Sequence, residues 1–142
     1  MLGALLMVIF FGWILTAEYI FEAIFGKQPP SSLSGFVYQV FETQGGLRLI
    51  LIGNLVGFLF ALVCFTLSVV AFPLLLDRHV SAPAAIITSV RAVLANPVTM
   101  LAWAIFVVAA LIAGSLPLLL GLVIVLPVLG HATWHLYRKV VV

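Results

Sequence analysis

Charge is what this sequence has least of: six Lys or Arg and four Asp or Glu in 142 residues, 7% of the chain. A soluble domain carries about 25% charged residues, because solvated groups must cover its surface. Here 65% of residues are hydrophobic and the mean hydropathy is +1.39. A soluble globular enzyme, a disordered tail and a disulfide scaffold are therefore excluded. The single cysteine, Cys64, allows no internal disulfide and lies in an apolar run, so it reports no redox compartment. A net charge of +2 is too small for a nucleic-acid footprint, and no nucleic-acid partner is expected. Catalytic signatures are missing too. There is no phosphate-cradling Gly-rich loop with Lys, no nucleophile elbow and no His-Glu-x-x-His helix. The expected surroundings are a lipid bilayer.

Three stretches are free of Asp, Glu, Lys and Arg: Met1 to Ala17, Leu49 to Leu76 and Ala92 to Tyr137. A helix rising about 1.5 Å per residue needs roughly 20 apolar residues to cross a hydrocarbon core of about 30 Å. The first two stretches each hold one crossing. The third holds two, with Gly114-Ser115-Leu116-Pro117 marking the hairpin. The expected fold is an all-α integral membrane four-helix bundle forming one domain over 1–142, with helices at 2–24, 48–76, 98–114 and 118–137. The 48–76 helix exceeds one crossing, so it must tilt, protrude or kink, and Pro73 is the natural place for a kink.

One or two amphipathic interfacial helices accompany the spans. Over 33–44, Leu33, Phe36, Val37, Val40 and Phe41 fall at helical spacing, with Ser34, Gln39, Glu42 and Thr43 opposite. The preceding Lys27-Gln28-Pro29-Pro30-Ser31-Ser32 is turn chemistry, its serines placed to cap. Over 83–95, Ile86, Ile87, Val90 and Leu94 form a stripe, with Thr88 and Arg91 opposite; Ser81 can cap it and Asn96-Pro97 stops it. Such helices lie in the headgroup plane or fold back over the bundle's end. Lys and Arg are retained on the cytoplasmic side. Arg78, Arg91, Arg138 and Lys139 share one face against Lys27 and Arg48 on the other, which places both termini in the cytoplasm. Trp134 and Tyr137 suit an interfacial belt. Met1 to Leu6 lacks the basic start of a signal peptide. The chain begins inside its first helix, which fits a very short N-terminus or a piece of a longer polypeptide.

A resemblance runs through the C-terminal two-thirds. Phe72-Pro73-Leu74-Leu75-Leu76-Asp77-Arg78 is followed by Thr88-Ser89-Val90-Arg91-Ala92-Val93-Leu94-Ala95-Asn96-Pro97. Then comes the run from Leu116 to Arg138, closing on His131-Ala132-Thr133-Trp134-His135-Leu136-Tyr137-Arg138. Over about 48–140 the chain resembles the C-terminal half of the proteobacterial membrane family called domain of unknown function 2189. The resemblance implies a helical membrane fold and a bacterial inner-membrane address. Some members are labelled cytochrome c oxidase proteins, but the family implies no reaction.

Four constellations are candidate sites. His131 and His135, at i and i+4, share a helix face, and His79 can add a third nitrogen on the same side. Three histidines can hold a transition metal, and opposed histidines can hold haem, with Asp77 as a supporting partner. The plainer reading is a polar collar where the last helix leaves the membrane. Asp77 and Arg78 end the second span, either as a proton-relaying pair beside the histidines or as a structural clasp with Arg91 or His131, in a polar cluster that also takes in Arg138. The clasp is preferred. Glu18 and Glu22 share a face near the end of the first helix and suit ion binding, or else they sit at headgroups beside Lys27. Gly53, Gly57, Ala61, Cys64 and Ser68 form a small-residue seam for helix packing, with Asn54 placed to bond across helices.

Two function classes follow. The leading one is a non-catalytic accessory or scaffolding subunit of a larger membrane assembly, respiratory or photosynthetic, whose partners are other subunits or further copies of itself. It requires no cofactor. The other is a metal- or haem-handling protein using His131, His135 and His79. Small-solute or proton transport is weaker, because mid-membrane polar positions are few: Asn54, Thr66 and Ser68.

Overall fold

A computed structural model describes residues 1–27 and 32–141. The Pro29-Pro30 turn and the capping role of Ser31 lie outside the described residues. Among the described residues seven helices follow one another: α1 Leu2–Phe25, α2 Leu33–Glu42, α3 Gln44–Ser68, α4 Ala71–Asp77, α5 Ala82–Ala95, α6 Pro97–Ser115 and α7 Leu122–Val141. No strand occurs among the described residues. Among the described residues three stretches are long and apolar enough to cross a membrane: Leu2–Phe25, Gln44–Asp77 and Pro97–Ser115. This is an all-α integral membrane protein. The fourth expected span is displaced to Leu122–Val141 and is not among those three. Its first half is apolar, but His131, His135, Arg138 and Lys139 fill the second.

The chain divides into two compact units, Gly3–Cys64 and Phe65 onward. In the first, α1 ends at Gly26, whose N–H still bonds Glu22 O and whose positive φ of 85° turns the chain out of the helix. Ser32 opens α2, its hydroxyl accepting from Gly35 N–H at 3.0 Å. Phe36 on α2 meets Phe21 on α1 with ring centroids 6.1 Å apart. Thr43 then makes the corner into α3. Its hydroxyl donates to Gln39 O and accepts from Gly46 N–H at 3.0 Å. The corner is tight enough that a Cβ on Gly46 would lie 2.0 Å from Val40 O, so only glycine fits.

The second unit is organised around a break in the long second span. The break occupies Val69–Val70, one turn before Pro73, rather than Pro73 itself. Proline lacks the N–H that would bond the carbonyl four residues back, and its ring clashes with that carbonyl; here it belongs to Val69. Short α4 then packs on α5 and α7. The buried face of α5 is Ala85, Ser89 and Ala92. Of the aliphatic stripe expected over 83–95, Ile87 and Leu94 are exposed. Small residues let α4 approach closely, whereas large aliphatics lose nothing by facing lipid. Ser81 makes no side-chain cap. Asn96 ends α5 with its N–H on Ala92 O and Val93 O, and Pro97 opens α6. Where α6 meets α7, a Cβ on Gly121 would lie 2.7 Å from Gly114 O.

Candidate functional site

The most developed polar arrangement lies where α4 and α7 meet. Tyr137, fully buried, donates its hydroxyl to Asp77 Oδ2 at 2.8 Å. Arg78 brings its Nε to 3.6 Å from the same oxygen. The Asp77 side chain is 35% exposed and that of Arg78 59%, so the ion pair is partly screened while the tyrosine bond is sheltered. The preferred clasp partners of Asp77, Arg91 and His131, are replaced by Tyr137 and Arg78. Among the described residues neither Arg91 nor Arg138 pairs with Asp77. The reason is geometric, since Asp77 ends α4 and α7 presents Tyr137 there. Arg138 and Lys139 occupy the last turn of α7, where cations complement the helix dipole.

A second polar feature was not singled out in the sequence. Ser89 Oγ donates to Thr66 O at 2.8 Å and accepts from Val70 N–H at 3.2 Å. Thr66 and Val70 are four residues apart, so the hydroxyl stands inside a helical N–H to carbonyl bond. An inserted side chain is an established cause of helix kinks. Ser89 and Val70 are both fully buried. The recoverable signal was the Ala85-x-x-x-Ser89-x-x-Ala92 face together with Pro73.

The histidines are placed differently. His131 and His135 are exposed and line one open hollow on α7 with Pro127, Val128 and Ala132. His79 does not join them. Among the described residues no group of three His, Cys, Asp or Glu converges as a metal-holding set. Glu18 is exposed and Glu22 half-buried, and neither forms an ion pair with Lys27 among the described residues.

The small-residue seam on α3 receives aromatic side chains rather than backbone. A Cβ on Gly57 would lie 3.6 Å from Trp13 Nε1, and one on Gly12 of α1 would lie 3.7 Å from Phe60. One turn away, a Cβ on Gly53 would meet nothing within 4 Å. Gly53 lines an apolar hollow with Trp13, Ala17, Ile20, Leu49 and Val56. Ala61 is exposed; Cys64 and Ser68 are half-buried. Asn54 departs from the expected cross-helix role: it is exposed and donates to Ile50 O of its own helix at 2.7 Å. An exposed amide on an apolar helix is readily satisfied by the carbonyl one turn back.

Every buried side-chain nitrogen and oxygen among the described residues has a hydrogen-bond partner. The sheltered polar groups thus brace helices: Ser89 at the break and Tyr137 at the α4 end.

Neither a curated protein nor a solved structure matches the chain significantly. One family pattern does, described as "Predicted integral membrane protein (DUF2189)", over residues 1–77. The family is the one the sequence resembles, but the matched stretch is N-terminal. It shares 48–77, with Phe72 to Asp77, and the His131 to Arg138 block lies beyond it. With more than half of its length matched and three apolar helices long enough to span a bilayer, the chain belongs to the DUF2189 family of integral membrane proteins.

Proposed function

We propose that the protein is a non-catalytic accessory or scaffolding subunit that packs into a larger membrane assembly, respiratory or photosynthetic, or into an oligomer of itself. The observation that carries this reading is the open hollow at Gly53. Glycine in a spanning helix exposes backbone and offers lipid little to pack against, so such a groove suits a further helix. The use of the sheltered hydroxyls as braces supports the same reading. The address that goes with it is the bacterial inner membrane, with both termini cytoplasmic. Its support is the distribution of cations along the chain: Arg78, Arg91, Arg138 and Lys139 in the second unit against Lys27 and Arg48 in the first.

Two leucine substitutions test it. Gly57→Leu drives a side chain into Trp13 and should loosen the packing of α1 on α3. Gly53→Leu enters open space, so it should leave helicity and heat tolerance intact while lowering the native mass in mild detergent. An unchanged native mass in Gly53→Leu would count against the proposal.

A second reading, metal handling, has one observation in its favour: His131 and His135 are exposed on one hollow. Titrating the purified protein with nickel or copper ions tests it. Binding lost in His131→Ala and retained in His79→Ala is the result it requires.

A further inference from the structure

The turn joining α6 to α7 is built almost wholly from leucine. It runs Leu116-Pro117-Leu118-Leu119-Leu120-Gly121, and Leu118 is 88% exposed. Leu116, Leu119 and Leu120 are exposed as well. Leu118 and Leu119 have φ of 49° and 67°, the left-handed region that turns usually give to Gly, Asn or Asp. In water, leucine at those two positions would add an exposed apolar tip to a strained backbone and gain nothing. In hydrocarbon the same side chains are well solvated and a polar turn residue is not.

The backbone of the turn points the same way. The N–H groups of Leu116, Leu118, Leu119, Leu120, Leu122 and Val123 donate to carbonyls of the turn itself or of the last turn of α6, which leaves Gly121 as the one N–H of the turn outside this set. Pro117 has no N–H to satisfy. Ser115, the nearest hydroxyl, donates back to Leu111 O at 2.7 Å. A turn in water can leave such groups to solvent, whereas hydrocarbon requires them to be satisfied internally.

Length supplies the third argument. The base of the hairpin carries Asn96 before α6, and Arg138 and Lys139 in the last turn of α7. Tyr137, held to Asp77 at that base, stands about 22 Å along α7 from Leu122, against a hydrocarbon thickness of about 30 Å. With Tyr137 among the headgroups, the α7 arm ends short of the opposite face, and α6, which rises about 27 Å, must then tilt or start outside the hydrocarbon.

We propose that the α6–α7 turn is immersed in the hydrocarbon of the bilayer and contacts lipid acyl chains, so that the hairpin enters and leaves the membrane on one face. This replaces the two complete crossings expected over 98–137. It leaves the end of α7 on the same face as Arg78.

Nitroxide accessibility tests the proposal. Leu118→Cys, Leu119→Cys and Leu120→Cys are prepared in a Cys64→Ala background, spin-labelled, and reconstituted alone into phosphatidylcholine–phosphatidylglycerol vesicles. His79→Cys serves as the aqueous reference. The expected result is high oxygen access with loss of access to a water-soluble nickel chelate at the turn, and the reverse at position 79. Nickel-chelate access at the turn equal to that at position 79 overturns the proposal, because the turn then stands in water. Exclusion of both reagents also overturns it, because protein then covers the turn. Hydrogen exchange on the unsubstituted chain gives the check that needs no variant. Amides of Leu118 to Leu120 as slow as those in the middle of α6 are expected, and exchange at the rate of an open turn refutes it.

Discussion

Replacing Ser89 with alanine removes one oxygen and two hydrogen bonds. Val70 N–H loses its acceptor at 3.2 Å and Thr66 O loses a donor at 2.8 Å, both beside a side chain that is fully buried. A buried amide left without a partner costs about 1–3 kcal/mol. In membranes, interhelical hydrogen bonds average about 0.6 kcal/mol, because the disrupted state finds other partners. Two such bonds give a lower bound of about 1 kcal/mol. The expected loss is therefore about 1–3 kcal/mol, since the Pro73 ring opposes closure of the helix that would restore a direct Val70 to Thr66 bond. Reversible unfolding in mixed detergent micelles measures it. Ser89→Cys, which keeps a weak donor, should fall between wild type and Ser89→Ala. Unchanged stability in Ser89→Ala, with the α3–α4 break unaltered, would refute the bracing role of the hydroxyl.

Gly46→Ala puts a Cβ 2.0 Å from Val40 O, so the α2–α3 corner must open at or above the ~3 kcal/mol end of overpacking costs; proteolysis between α2 and α3 should rise, and resistance equal to wild type would contradict the corner as described. Tyr137→Phe removes the donor to Asp77, and with that carboxylate partly exposed the loss should be about 1 kcal/mol, against no more than about 0.5 kcal/mol for His135→Ala at the exposed hollow; the reverse order would contradict the clasp. Reporter fusions after Val142 and within Lys27–Ser32 should lie on opposite sides of the membrane. The same side for both would overturn the arrangement of α1 and the α3–α4 span.

Composition and charge-free runs made the membrane class and the three apolar spans legible, because hydrocarbon tolerates few charges at any position. Element ends at Ser32 and Asn96-Pro97 were equally readable, since each rests on local backbone chemistry. The inward face of α5 was not. Periodicity finds large apolar residues, but a bilayer removes the penalty for leaving Ile87 and Leu94 outside, so the buried face went to Ala85, Ser89 and Ala92. Asp77 was recognisable as needing a partner, yet the donor came from Tyr137, which the sequence placed in an aromatic belt. The seam on α3 was visible as spacing alone. That Trp13 would fill the space at Gly57 and leave Gly53 open depends on where α1 lies, which no periodicity encodes.

Packing with other membrane helices through the groove at Gly53 is decided by the mass of the intact particle. The measurement is native mass spectrometry of the unsubstituted chain extracted from its own membrane in polymer nanodiscs. The predicted result is a particle holding two or more chains, identical or different, and crosslinked through position 53 when Gly53→Cys is introduced. A particle containing one 15.3 kDa chain and lipid alone would contradict it.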